Sequence, residues 1–172
     1  EIDTAIPDSL PAPYIEKDNS FIQSMQITLN AKTSTPLSMA RESIDIFNSK
    51  TIQVCLPSFT TCSNFSHIKL YVAEYNILTS SYGDYYEIKM PQSTSLESGV
   101  VVDNFKATVT FNEDMYDFKI KAIQVKKNGI EGNISLANAS GRNKIDTTAP
   151  IIKTNSIKYE NDSSNENIAN FN

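Results

Sequence analysis

The chain has no tryptophan, one histidine and two cysteines in 172 residues, and these shortages exclude several chemistries. A structural zinc site needs about four Cys or His ligands, more than Cys55, Cys62 and His67 supply together. His67 stands in Asn64-Phe-Ser-His67 with no nucleophile motif beside it, and a catalytic triad needs partners that spacing does not place. Basic charge is short as well: 15 Lys and Arg against 20 Asp and Glu leave a net charge of -5, a field that repels nucleic acid. No apolar run approaches the ~20 residues of a membrane span. Glu113-Asp114 is the one pair of adjacent acids before a strand; a solvated turn explains it, and glycoside hydrolysis needs carboxylates set across a cleft. The expectation is a non-enzymatic protein that neither binds nucleic acid nor inserts into a membrane.

What the chain does have is alternation. Tyr116, Phe118, Ile120 and Ala122 alternate with Asp117, Lys119 and Lys121, the period of a strand with one buried face. The parity flips at Ile123 and Val125, so either a bulge lies there or both faces become covered. Asn128-Gly129 and Gly132-Asn133 are turn formers. They predict a terminal hairpin whose second run holds Ile134, Leu136 and Ala137. Upstream, short runs follow one another at Phe21 to Leu29, Ser43 to Phe47, Lys50 to Leu56, His67 to Tyr75, Tyr85 to Met90, Val100 to Val102 and Phe105 to Phe111. Only Pro36 to Ser43 suits a helical turn, and Thr33 to Ser38 reads as a loop. Short strands separated by turn signals predict an all-β antiparallel sandwich of about seven or more strands.

The Tyr-x-Phe-x-Ile-x-Ala run from Tyr116, the turn Gly132-Asn-x-Ser135 and the exit Asp146-Thr-Thr-Ala-Pro150 together resemble the last two strands and exit linker of fibronectin type III and related bacterial immunoglobulin-like modules. The resemblance implies an immunoglobulin-like fold, a tyrosine corner at Tyr116 with Phe111 as its upstream apolar partner, and a place in a tandem-repeat surface protein. Ile2-Asp-Thr-Ala-Ile-Pro7 echoes Ile145-Asp-Thr-Thr-Ala-Pro150, as a repeated module would, while common linker residues produce such an echo by chance. The resulting division is an N-terminal linker over 1–13, a sandwich module over 14–145, and an exit linker over 146–172 that begins a following module or trails as a mobile tail.

Cys55 and Cys62 flank Leu-Pro-Ser-Phe-Thr-Thr. Joined, they would pin that loop by about 2.5 kcal/mol in the chain-entropy model and point to an oxidising compartment; two buried free thiols are the other reading. Calcium is the one cofactor the residues suggest, held by Asp114, Glu131 and Asp146 if their loops converge, with Asp3 at the other end; exposed acids give the same composition. Tyr71, Tyr75, Tyr82, Tyr85 and Tyr86 crowd around Ser80-Ser81-Tyr82-Gly83-Asp84. Parity assigns Tyr71 and Tyr86 to packing and leaves Tyr82, Tyr85 and Tyr75 as ligand-contact candidates. Asn-x-Ser sequons stand at Asn64, Asn133, Asn138 and Asn161.

The functional expectation is an extracellular, bacterial module of a surface or fibre protein. It serves adhesion or acts as a stalk spacer, touching neighbouring modules of its own chain and a cell-surface glycan or protein. A carbohydrate-binding or accessory module of a secreted hydrolase is one alternative. A subunit that forms oligomers by exchanging terminal strands, with 151–172 as donor, is another.

Overall fold

Alternation along the sequence becomes burial in the computed structural model, which describes residues 2–18, 20–23, 44–88, 96–138 and 142–149. Among them are twelve strands and no helix. In chain order these are β1 (Tyr14–Ile15), β2 (Phe21–Gln23), β3 (Ile44–Phe47), β4 (Thr51–Leu56), β5 (Phe59–Thr60), β6 (Phe65–Asn76), β7 (Ser81–Tyr82), β8 (Tyr86–Ile88), β9 (Val101–Val102), β10 (Phe105–Thr110), β11 (Phe118–Lys126) and β12 (Arg142–Ile145). One sheet runs β1-β4-β10, a second β11-β6-β7 with β8 also on β6, and a third β12-β3-β2, while β5 pairs with β9. All these pairings are antiparallel except β12 with β3.

Ile52, Val54 and Leu56 of β4 with Ala107 and Val109 of β10 meet Leu70 and Val72 of β6 with Phe118, Ile120 and Ala122 of β11 in one apolar cluster. Two sheets thus face each other across a shared interior, an arrangement consistent with a β-sandwich. Each fully buried aliphatic or aromatic side chain there stabilises the fold by about 1.5–3 kcal/mol. The opposite face of β4 and β10 is polar, with Thr51 bonded to Thr110 and Gln53 to Thr108.

β11 keeps an unbroken register with β6 from Phe118↔Glu74 to Val125↔His67, shifting only between Val125 and Lys126. The parity flip after Ala122 is therefore not a bulge; Ile123, Gln124, Val125 and Lys126 are all buried because both faces are covered. Lys69 stands opposite Ile123 and Glu131 bridges Val125 from the other edge, so the Lys69–Glu131 ion pair passes over β11. On the other face Gln124 accepts from the Cys62 N–H and donates to the Asp8 carbonyl, and the Lys126 ammonium donates to both carboxylate oxygens of Asp3. The stretch expected to be an N-terminal linker thus lies against the sandwich. Leu10 joins the core and Pro7 and Pro13 are buried. Gly132 permits this contact, since a Cβ there would come within 3.0 Å of the Pro7 side chain and 3.1 Å of the Gln124 carbonyl.

The chain reverses after β11 as expected, with Gly129 at φ 86°, but the returning run is not a strand. The N–H groups of Gly132, Ser135 and Asn138 donate to the carbonyls of Gln124, Ala122 and Ile120, three residues of one chain against two of the other. A run this compact cannot present its own carbonyls in step. Side chains replace them: Ser135 Oγ accepts from the Ala122 N–H at 2.9 Å and Asn138 Oδ1 from the Ile120 N–H at 2.7 Å. Ile134 and Leu136, expected in the second strand of the hairpin, are exposed. A ladder strand forms only at β12, parallel to β3.

Tyr116 also departs from expectation. Met115 bridges Ile145 and takes the buried position, and Asp117 turns inward, so Tyr116 is half exposed and Phe118 is the ring that packs on Phe111, at 5.5 Å. β1, β5, β7 and β12 were not expected as strands. Met25, Ile27 and Leu29 of the first run, the 33–38 loop, the 36–43 helical turn, residues 89 and 90, and the 151–172 exchange strand lie outside the described residues.

Asn138→Ala leaves the buried Ile120 N–H without its acceptor and should lower the unfolding free energy by about 1–3 kcal/mol in urea denaturation. An unchanged midpoint would mean that this amide does not depend on the side chain.

Candidate functional site

The tyrosines are gathered by the long β6 and the short β7 that returns to it. Asn76 Oδ1 accepts from the Leu78 N–H, closing an Asx turn, and Ser80 takes a left-handed φ of 52°. This pairs Tyr75 with Tyr82, their rings edge to face at 5.3 Å. The Tyr82 hydroxyl then donates to Asp117 Oδ1 at 2.9 Å, and Arg142 Nε donates to Asp117 Oδ2 at 3.2 Å. Asp117 is a buried carboxylate held by one neutral and one charged donor, the condition for keeping such a charge inside. Burial, reinforced by the hydrogen bond to Asp117, pushes the Tyr82 phenol well above its ordinary range. The Arg142 guanidinium also lies 4.7 Å over the Tyr116 ring.

Beside this constellation opens a groove of about 470 Å³. Tyr75, Tyr86 and Tyr116 supply its rings, Glu74, Asp84 and Asp117 its carboxylates, and Ile77 and Leu78 its rim. Four of the groove residues are large apolar side chains open to solvent: Ile77 at 64%, Leu78 at 94%, Tyr86 at 50% and Tyr116 at 49%.

Of the three tyrosines chosen from the sequence as ligand contacts, only Tyr75 lines the groove. Tyr82 is half buried and committed to Asp117, and Tyr85 lies beneath the Lys121 ammonium at 4.5 Å, its phenol raised by burial. Tyr86, assigned to packing, is opposite Val72 on β6 but remains half exposed. Tyr116 was assigned to the core. Ile77 and Leu78 carried a signal that could have been used, because two aliphatic residues inside a turn have no core to enter.

The three acids expected to hold calcium do not converge. Asp114 precedes β11 and Glu131 pairs with its far end, about 25 Å of strand away. Asp114 accepts from the Thr147 N–H at 3.0 Å and its hydroxyl at 2.7 Å, bonds that hold its carboxyl below the usual range. Asp146 pairs with Lys144, and Asp3 with Lys126 and Asn64. Among the described residues no three His, Cys, Asp or Glu side chains form a metal-sized group.

Cys55 and Cys62, read from the sequence as a bridge or as two free thiols, stand in this structure as free thiols. Ile52, Val54 and Leu56 point into the core, so Cys55 faces the other way, between Tyr14 and Lys106, whereas Cys62 packs against the core. Burial raises both thiols above their ordinary pKa. Two of the sequons are structurally occupied: the Asn138 amide and the Ser135 hydroxyl of the Asn133 sequon both serve β11. Asn64 donates to Asp3, and Asn161 lies outside the described residues.

Comparison with protein-family models, with curated proteins and with solved structures finds no match. The chemistry of the groove is therefore argued from its own geometry.

Two expectations follow. Thiol titration of the unfolded, unreduced chain should find both cysteines reactive, and none reactive would restore the bridge. Asp117→Ala strands the Tyr82 hydroxyl and the Arg142 guanidinium; it should destabilise by about 2 kcal/mol or more, read as a lower urea midpoint that Asp117→Asn only partly restores.

Proposed function

We propose that the chain is a non-enzymatic binding module of a larger extracellular surface or fibre protein, serving adhesion through the groove between the β6–β7 turn and the start of β11. The observation that carries this is the collection of Ile77, Leu78, Tyr86 and Tyr116 in one groove. Exposed apolar side chains scattered singly are ordinary, but a cluster bordered by polar groups is the composition of a contact surface. Buried Asp117 holds Arg142 against Tyr116, so that part of the groove is ordered before a partner arrives, which reduces the entropy lost on binding.

The strand neighbours support an immunoglobulin-like reading. β1-β4-β10 corresponds to strands A, B and E of such a module, and β6-β11 with the returning run 131–138 corresponds to C, F and G. Placing the groove where loops leave the sheets is in keeping with sites that vary while a scaffold stays fixed. Location at a cell surface rests on the resemblance of the 116–150 stretch to modules of that kind, and the free thiols add nothing to it.

The labelled 172-residue chain should bind saturably to at least one member of a panel of glycans and bacterial envelopes. Tyr86→Ala with Tyr116→Ala should weaken that binding about tenfold or more while circular dichroism stays native. A folded wild-type chain that binds nothing would sink the adhesive reading and leave that of a spacer.

A further inference from the structure

The ionisable groups of the groove share one sign. Glu74, Asp84 and Asp117 line it, and no lysine or arginine is among its described lining residues, Arg142 being bonded to Asp117 and set over Tyr116. Asp117 is occupied by Tyr82 and Arg142, whereas Glu74 and Asp84 form no salt bridge among the described residues. Glu74 lies close enough to Tyr86 to add to the rise of its phenol pKa, which burial dominates. Aromatic faces flanked by carboxylates attract cations, since the ring quadrupole and the negative charges act in the same direction. Among the described residues the fold already sets a cation over a ring three times, with Lys17 over Phe21, Lys121 over Tyr85 and Arg142 over Tyr116.

Resting on the reading that this groove is the contact surface, we propose that its occupant is a basic segment of a partner protein. A Lys or Arg side chain enters beside Tyr86 and Tyr116, its charge meeting Glu74 and Asp84, and flanking aliphatic residues cover Ile77 and Leu78. A neutral sugar could stack on the same rings. It would, however, remove Glu74 and Asp84 from water without a counter-charge, which is unfavourable, and it offers hydroxyls where Ile77 and Leu78 require apolar contact. The net charge of -5 favours the same partner at long range.

The test titrates the isotope-labelled 172-residue chain with three probes followed by amide NMR: a blocked peptide alternating Leu and Arg, its Leu and Glu counterpart, and a neutral chito-oligosaccharide. The basic peptide is expected to shift the amides of 74–86 and 116–117. Its affinity should fall several-fold between about 20 and about 300 mM NaCl, and about tenfold in Glu74→Gln with Asp84→Asn. Both substitutions are on the surface and should leave the spectrum otherwise native. Binding of the oligosaccharide in the groove without binding of the basic peptide would overturn the proposed occupant and keep the contact surface. Equal binding of both peptides, or an unchanged affinity in the double variant, would also overturn it. If no probe shifts the groove at any salt concentration, both the occupant and the contact surface are lost.

Discussion

The pairing of β6 with β11 is the constraint on which the rest of the structure depends. These are the two longest strands among the described residues, in register from Phe118↔Glu74 to Val125↔His67, and between them they supply Leu70, Val72, Phe118, Ile120 and Ala122 to the core. Because side chains alternate with period two, a one-residue slip would exchange Phe118, Ile120 and Ala122 for Lys119 and Lys121 on the buried face. The register therefore also fixes what lies at each end of the pair. At one end Lys126 receives Asp3 and the N-terminal stretch is drawn onto the sandwich; at the other, Asp117 meets Tyr82 and Arg142.

Asp117 connects that framework to the groove. Its carboxylate is out of water, so it relies on both donors for its hydrogen bonds. The donors come from β7 and β12, elements with little hold of their own on β11: β7 has two residues, and β12 ladders with β3. A single buried charge thus orders one wall of the groove from three separate pieces of chain. The Arg142 side chain, fixed at one side by Asp117, presents its flat face to Tyr116, which explains how a tyrosine outside the core keeps a defined place.

Much of the framework could be read from the sequence because it depends on local alternation. Ile52, Val54 and Leu56, Leu70 and Val72, and Phe118, Ile120 and Ala122 were all assigned to buried faces, and all are buried. The failures share a cause in contacts distant along the chain. Asp117 alternates as a solvent-facing residue and is buried only because Tyr82 and Arg142 reach it. Tyr116 loses its core position to Met115 through a bridge to Ile145. Asp114 and Glu131 are separated by the length of a strand that connects them, which no residue inventory displays. For the groove, Tyr75 was recognisable and Tyr86 and Tyr116 were not, since exposure at a sheet margin depends on where the facing sheet stops.

The run after β11 bears on how such a module can meet a partner. An open strand edge invites another chain to extend the sheet. On β11 that edge is closed, because Ser135 and Asn138 satisfy the N–H groups of Ala122 and Ile120 with side chains while their own amides take the carbonyls, and Asn143 donates to the Phe118 carbonyl. An incoming strand would have to displace these bonds and could offer only equivalent ones. At the other side of the sheet the described part of β8 pairs Tyr86, Glu87 and Ile88 with Val72, Tyr71 and Leu70 of β6. At the β11 edge association through backbone is therefore disfavoured, and at the β8 margin Tyr86 and its neighbours in the groove are open to association through side chains.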